Sequence, residues 1–237
     1  MAGHSHGANI QHRKGAQDTK KAKSFNKLLR GIHVAAKNGV DPETNYKLRT
    51  ALLAARSGLV PKDKIEAAIL KASSDNPENL ESIRYNGMMN GVAFIIEALT
   101  SNKNRTANDI RTLLSKNGAD MVETGSIEFM FNHIGLIAYP INICEKEKIF
   151  EIIIESGAND IYDDTLVYYI ETIDSDLHNV RTSLARYFSD PLSCSLIWKP
   201  NIYANISNKE SEEVQKVLDI LNEYDDVDAL YTNLNII

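Results

Sequence analysis

The spacing of apolar residues changes along the chain, and the change falls near the polar stretch 73–79. Upstream of it, apolar positions recur every three to four residues, the mark of helices with one buried face. Residues 18–38 form the first, with Ala22, Phe25, Leu28, Leu29, Ile32 and Ala36 on one side and Gly39 placed to end it. Asp41-Pro42 reads as the start signal of a second helix over 43–57. A third covers 61–72, where Ile65, Ala68, Ile69 and Ala72 make the apolar stripe. Three helices with short connections predict a small bundle. Residues 1–15 are polar and without period, which predicts an arm, and 73–79, with Asn76-Pro77, predicts a linker.

Downstream the pattern alternates between short apolar runs and helical stretches. Buried strands are predicted at 92–99, 127–132 and 136–139, the last two separated by a turn at 133–135. Further strands are predicted at 160–162, 166–172, 193–198, 202–206 and 229–234. Helices fall at 108–116, 145–156, 176–188 and 210–224, with Thr106 and Asp109 at capping-box spacing before the first of them. Residues 135–199 alone read strand-helix-strand-strand-helix-strand, the ferredoxin-like order. The segments on either side make a second such unit, interrupted by the first. The expected fold is therefore α+β: an N-terminal three-helix domain followed by two ferredoxin-like α/β domains, one inserted in the other. The boundaries are 1–78, then 79–134 with 200–237 as a discontinuous domain, and 135–199 as the inserted one.

Composition adds little until charge is read by position. A hydrophobic share of 43% suffices for a sizeable core, and no apolar run approaches the roughly 20 residues that cross a bilayer. The polar N-terminus has no signal-peptide pattern, and Cys144 and Cys194 lie in no metal or redox motif, so a cytoplasmic protein with reduced thiols is expected. The net charge of −6 conceals an asymmetry. Residues 1–75 hold 14 of the 26 basic residues but 6 of the 32 acidic ones. Such polarity suits a first third that meets a polyanion and a remainder that stays soluble.

On a helical wheel Lys20, Lys23, Lys27 and Arg30 share one arc, opposite the apolar face. Lys21 sits beside that rail, and Arg13 and Lys14 extend it onto the arm. Asn9, Gln11 and His12 add side chains able to donate to phosphates or base edges. These ten residues are the candidate nucleic-acid contacts, and the lysines are expected on the solvent face. Phosphate contacts carry no sequence information, so DNA and RNA stay equally open at this point.

Several motifs then agree in order: Met1-Ala2-Gly3-His4-Ser5, Ala8-Asn9-Ile10-Gln11-His12-Arg13-Lys14 and Gln17-Asp18 in the arm, and Asn102-Lys103-Asn104-Arg105-Thr106 further on. Glu123-Thr124-Gly125-Ser126 and Phe129-Met130-Phe131 follow. Together they resemble the YebC/PmpR family across essentially the whole chain. The resemblance implies a three-domain α/β transcriptional regulator that binds DNA. It also extends to the mitochondrial translational activator of cytochrome c oxidase and to bacterial relatives tied to ribosomes stalled on proline-rich stretches. The alternative partner is thus ribosomal RNA, with ribosome association. Two departures stand out: His6-Gly7 where the family commonly has Lys-Trp, and Asn86–Gly91 where it tends to have a Gly-Pro-Gly-Gly turn.

Catalytic patterns are missing: there is no nucleophile elbow, phosphate loop or zinc-protease helix. Glu123–Ser126 reads as a turn, while Asp163-Asp164 and Asp225-Asp226 with Asp228 read as solvated acidic turns. The expectation is a non-enzyme with no cofactor, no metal, no membrane contact and no small-molecule substrate.

Overall fold

The computed structural model describes residues 24–72 and 80–235. Three helices open it: α1 over residues 24–36, α2 at Tyr46–Ser57 and α3 at Lys62–Ala72. Their apolar stripes meet in one core built on Ile32, Leu48, Leu52, Ala55 and Ile65. Asp41-Pro42 does not begin α2. Asp41 instead closes a turn by accepting from the Glu43 amide at 2.9 Å, and Asn45 is the cap. The buried Asn45 accepts from the Leu48 amide at 3.1 Å. Its amide group donates to the carbonyls of Ala35 (2.8 Å) and Gly39 (2.6 Å). One side chain thereby serves the loose ends of two helices, which neither water nor backbone could do at a buried site. Asn45→Ala should cost about 1–2 kcal/mol, read from a urea melt.

The first sheet comprises β1 (Glu81–Met89), β2 (Val92–Thr100), β3 (Asp120–Val122) and β8 (Val227–Thr232), in the order β3-β1-β2-β8 and antiparallel throughout. Helices α4 (Lys103–Lys116) and α7 (Asn208–Glu223) cover one face, burying Phe94, Ile96, Ile110, Leu114, Val217 and Leu221. The second sheet is β4 (Phe131–Pro140), β5 (Asp160–Asp163), β6 (Val167–Ile173) and β7 (Ser193–Pro200), ordered β5-β6-β4-β7. Its helices are α5 (Lys146–Ser156) and α6 (Leu177–Leu184), packed on Ile137, Tyr139, Ile170 and Cys194. Both sheets have the ferredoxin-like strand order, and the second is nested between β3 and α7 of the first. In the outer unit the chain enters on an inner strand, β1, before the strand-helix-strand β2-α4-β3.

Strand β1 is absent from the sequence reading, which assigns no element to 80–90 and notes 86–91 only as a departure from the family's turn. The turn is only Asn90-Gly91: Asn90 has φ 51° and Gly91 φ 79°, and Met89 pairs with Val92. Two consecutive positive φ values make the tight hairpin that Asn-Gly favours. The polar Arg84, Asn86 and Gly87 masked the strand, and Gly87 is there because a Cβ would lie 2.4 Å from the Phe94 ring.

A second correction concerns 127–140. Residues 128–130 form a 3-10 turn, and β4 then runs unbroken through the predicted turn at 133–135. Gly135 sits in mid-strand because Leu177 packs over it; an added Cβ would meet Thr172 Oγ1 at 2.3 Å and Leu177 Cδ1 at 2.8 Å. Gly135→Ala should therefore destabilise by about 1–3 kcal/mol through overpacking, seen as a lower Tm. The strand expected at 202–206 is reduced to a single bridge, Ala204 with Leu234. Helix α4 is capped by Asn102, whose side chain accepts from the Arg105 amide, and not by Thr106. Among the described residues no helix is long and apolar enough to cross a membrane.

Candidate nucleic-acid interface

Helix α1 has two working faces. The apolar one packs on α2 and α3; the one carrying Lys27 and Arg30 lies against the outer α/β unit. Lys27 Nζ donates to the Asn222 carbonyl at 2.6 Å and to Asn222 Oδ1 at 3.3 Å. Arg30 donates to the carbonyls of Asp225 and Leu99, each at 2.7 Å, and to Asp226 Oδ1 at 3.0 Å. The expectation that these two cations face solvent is corrected here, because the turn between α7 and β8 supplies an anion and outward-pointing carbonyls.

Asp226 is the centre of that contact, not part of a solvated turn: it is only 6% exposed. Its second oxygen accepts from Arg105 Nη2 at 2.9 Å, the buried Thr106 hydroxyl at 2.7 Å and the Thr100 hydroxyl at 3.3 Å. Burial pushes the Asp226 pKa up, but hydrogen bonds from Thr106, Arg105 and Arg30 outweigh it and hold the pKa below the usual carboxylate value. The motif Asn102–Thr106 thus has a structural role: it caps α4 and places Arg105 and Thr106 on the carboxylate that docks α1. Spacing could not show this, since Asp226 is some 120 residues away in sequence.

On either side of α1 the docking leaves a cleft. The larger, about 590 Å³, lies between α1 and α3; Lys27, Arg30 and His33 line one wall, and Lys64 and Lys71 the other. The smaller, about 550 Å³, lies toward α2 and includes Lys47 and Asp228. Lys64 and Lys71 went unnoticed because the charge run at 11–30 dominates the sequence; their seven-residue separation on α3 was the available signal. Of the predicted contacts, Asn9, Gln11, His12, Arg13, Lys14, Lys20, Lys21 and Lys23 lie outside the described residues.

The two sheets meet around Trp198. Its indole N–H donates to Glu97 Oε1 at 3.1 Å, the Arg84 guanidinium stacks 4.4 Å from its ring, and the His133 ring lies at 4.5 Å. Glu123–Ser126 is a turn, as read, with Ser126 bonded to the Glu123 carbonyl and Gly125 at φ 96°. Cys144 and Cys194 carry free thiols, and burial raises that of Cys194 to about 11, which keeps it protonated and unreactive.

A basic helical bundle docked on two nested ferredoxin-like sheets defines the class of protein. Models of the TACO1/YebC protein N-terminal domain and of the TACO1/YebC second and third domain match residues 5–75 and 80–234. The chain belongs to the TACO1/YebC family. A "probable transcriptional regulatory protein" of Rickettsia peacockii (strain Rustic) is 45% identical over 98% of this chain and 94% of its own length. One of the same name from Rickettsia felis (strain ATCC VR-1525 / URRWXCal2) is 46% identical over the same shares. The crystal structure of a conserved hypothetical protein from Aquifex aeolicus superposes with a TM-score of 0.80, at 32% identity and 92% coverage of both chains.

Proposed function

We propose that this chain is a cytoplasmic, nucleic-acid-binding regulator of gene expression, acting on DNA in transcription control and performing no covalent chemistry. The observation that carries this is the concentration of positive charge on the N-terminal helical part. Seven cations stand in residues 11–30 against the single acid Asp18; Lys27 and Arg30 dock α1, and local ion pairs cannot account for the other five. The names of the relatives, probable transcriptional regulatory proteins, support the regulatory role.

Because Lys27 is committed to Asn222, the test uses Lys20 and Lys23. The Lys20→Glu/Lys23→Glu variant should lose most of its affinity for duplex DNA and for RNA at low salt, and wild-type affinity should fall steeply as salt rises. Unchanged affinity across salt would overturn the reading. Sedimentation with and without ribonuclease separates the cellular roles. A free pool that crosslinks to promoter DNA supports transcription control, whereas ribonuclease-sensitive co-migration with ribosomes would replace it with a translation role on ribosomal RNA.

A further inference from the structure

The cleft between α1 and α3 has the features of a backbone-binding groove. Lys64 and Lys71 are two helical turns apart on α3, so they stand on the same wall about 10 Å from each other. Between them lie Ala67 and Ala68, small residues that leave the floor low and apolar, continued by Leu29 and Leu80. Opposite, Lys27 is held by the Asn222 carbonyl and Arg30 by Asp226, and His33 is almost fully buried beside them. The lining carries four cations, Lys27, Arg30, Lys64 and Lys71, against one acid, Asp225.

We propose that this cleft seats a single-stranded stretch of nucleic acid, with Lys64 and Lys71 taking its phosphates and the apolar floor taking sugar and base edges. The inference rests on the reading of the chain as a nucleic-acid binder and extends it from the arm and α1 to α3. A groove of about 590 Å³ falls in the range of ligand sites. A duplex presents its phosphates on a cylinder too wide to enter it, whereas a single strand can lay its backbone along a cationic wall. Among the described lining residues there is no Phe, Tyr or Trp, and the His33 ring is almost fully buried, so the contact tracks the backbone and discriminates little between bases.

The test measures fluorescence anisotropy of the full chain with a short, labelled, mixed-sequence RNA, the same sequence as single-stranded DNA, and its duplex. Lys64→Glu/Lys71→Glu should weaken single-strand binding at least about tenfold at low salt. It should also reduce the slope of log affinity against log salt by about 1.4, two phosphate contacts' worth. Lys62→Glu, on the opposite face of α3 and paired with Glu66, should change little. Lys64 and Lys71 are exposed, so Gln at both positions preserves the helix and should give the same loss in milder form. In the wild type, photocrosslinks from thiouridine-substituted RNA should fall on residues 62–72. If the α3 double variant binds single strands as Lys62→Glu does, the cleft proposal falls. If the Lys20→Glu/Lys23→Glu variant still loses affinity in that case, the general reading survives. Equal loss on duplex and single strands would overturn the single-strand assignment.

Discussion

Asp226→Ala is expected to loosen α1 from the α/β body and lower stability by about 2–4 kcal/mol, measured by urea denaturation. The loss is large because the partners cannot rehydrate freely. The Arg30 side chain, 25% exposed, would keep the carbonyls of Leu99 and Asp225 but lose its charged acceptor, and the buried Thr106 hydroxyl would lose the carboxylate. It falls short of the figure for a fully enclosed pair because the Arg105 side chain is 53% exposed and can turn to solvent. Amide exchange in α1 should rise more than in β2, since the helix loses its anchor while the sheet keeps its ladder. A change below about 0.5 kcal/mol would sink the docking role.

The same carboxylate gives a pH dependence of definite sign. The folded state holds the Asp226 pKa below the ordinary value, so the unfolded chain takes up the proton first as pH falls. The contribution is complete above the ordinary aspartate pKa of about 3.9 and disappears as pH drops through the depressed folded value. In wild type, α1 exchange should therefore accelerate only below about pH 4, and Asp226→Asn should remove that component. Release starting near neutral pH would point to another group.

Trp198→Ala should cost about 2–4 kcal/mol and separate the unfolding of the inserted sheet from the rest. The indole bridges the sheets, packing with Ile127, Phe131 and Ile95 while its N–H meets Glu97. Truncation removes that packing and leaves the Arg84 guanidinium without the ring it stacks on. Trp198→Phe restores most of the apolar contact but not the hydrogen bond, so it should lose only about 1 kcal/mol. Trp198 is the sole tryptophan, so far-UV circular dichroism must follow the melt. A single cooperative transition of unchanged midpoint in the Ala variant would refute the bridging role.

Local pattern made much of this architecture legible. The continuous apolar run of β2 predicts a strand buried on both faces, and both its faces are covered. The stripe of α3 predicts its helix within a residue, and the order of elements in 135–199 predicts the nested sheet. Errors arose where a residue's identity answered a distant neighbour. Gly87 and Gly135 look like turn residues, yet each sits in a strand because a side chain from elsewhere, Phe94 or Leu177, occupies the space of a Cβ.

The charge of the N-terminal third was also legible; of the four cations that the sequence places on one arc of the first helix, Lys27 and Arg30 lie within the described residues and share one face of α1. How that arc is used was decided by tertiary structure. Helical periodicity separates a polar from an apolar face, but it cannot tell solvent from a polar surface of the same chain. Lys27 and Arg30 are turned inward because folding brings Asn222, the carbonyls of Leu99 and Asp225, and the buried Asp226 to the same place. An ion pair joining residues nearly 200 positions apart leaves no periodic trace in the sequence. The sequence by itself determined that this part of the protein is cationic; the fold determined that Lys27 and Arg30 hold the protein together and share a groove with Lys64 and Lys71.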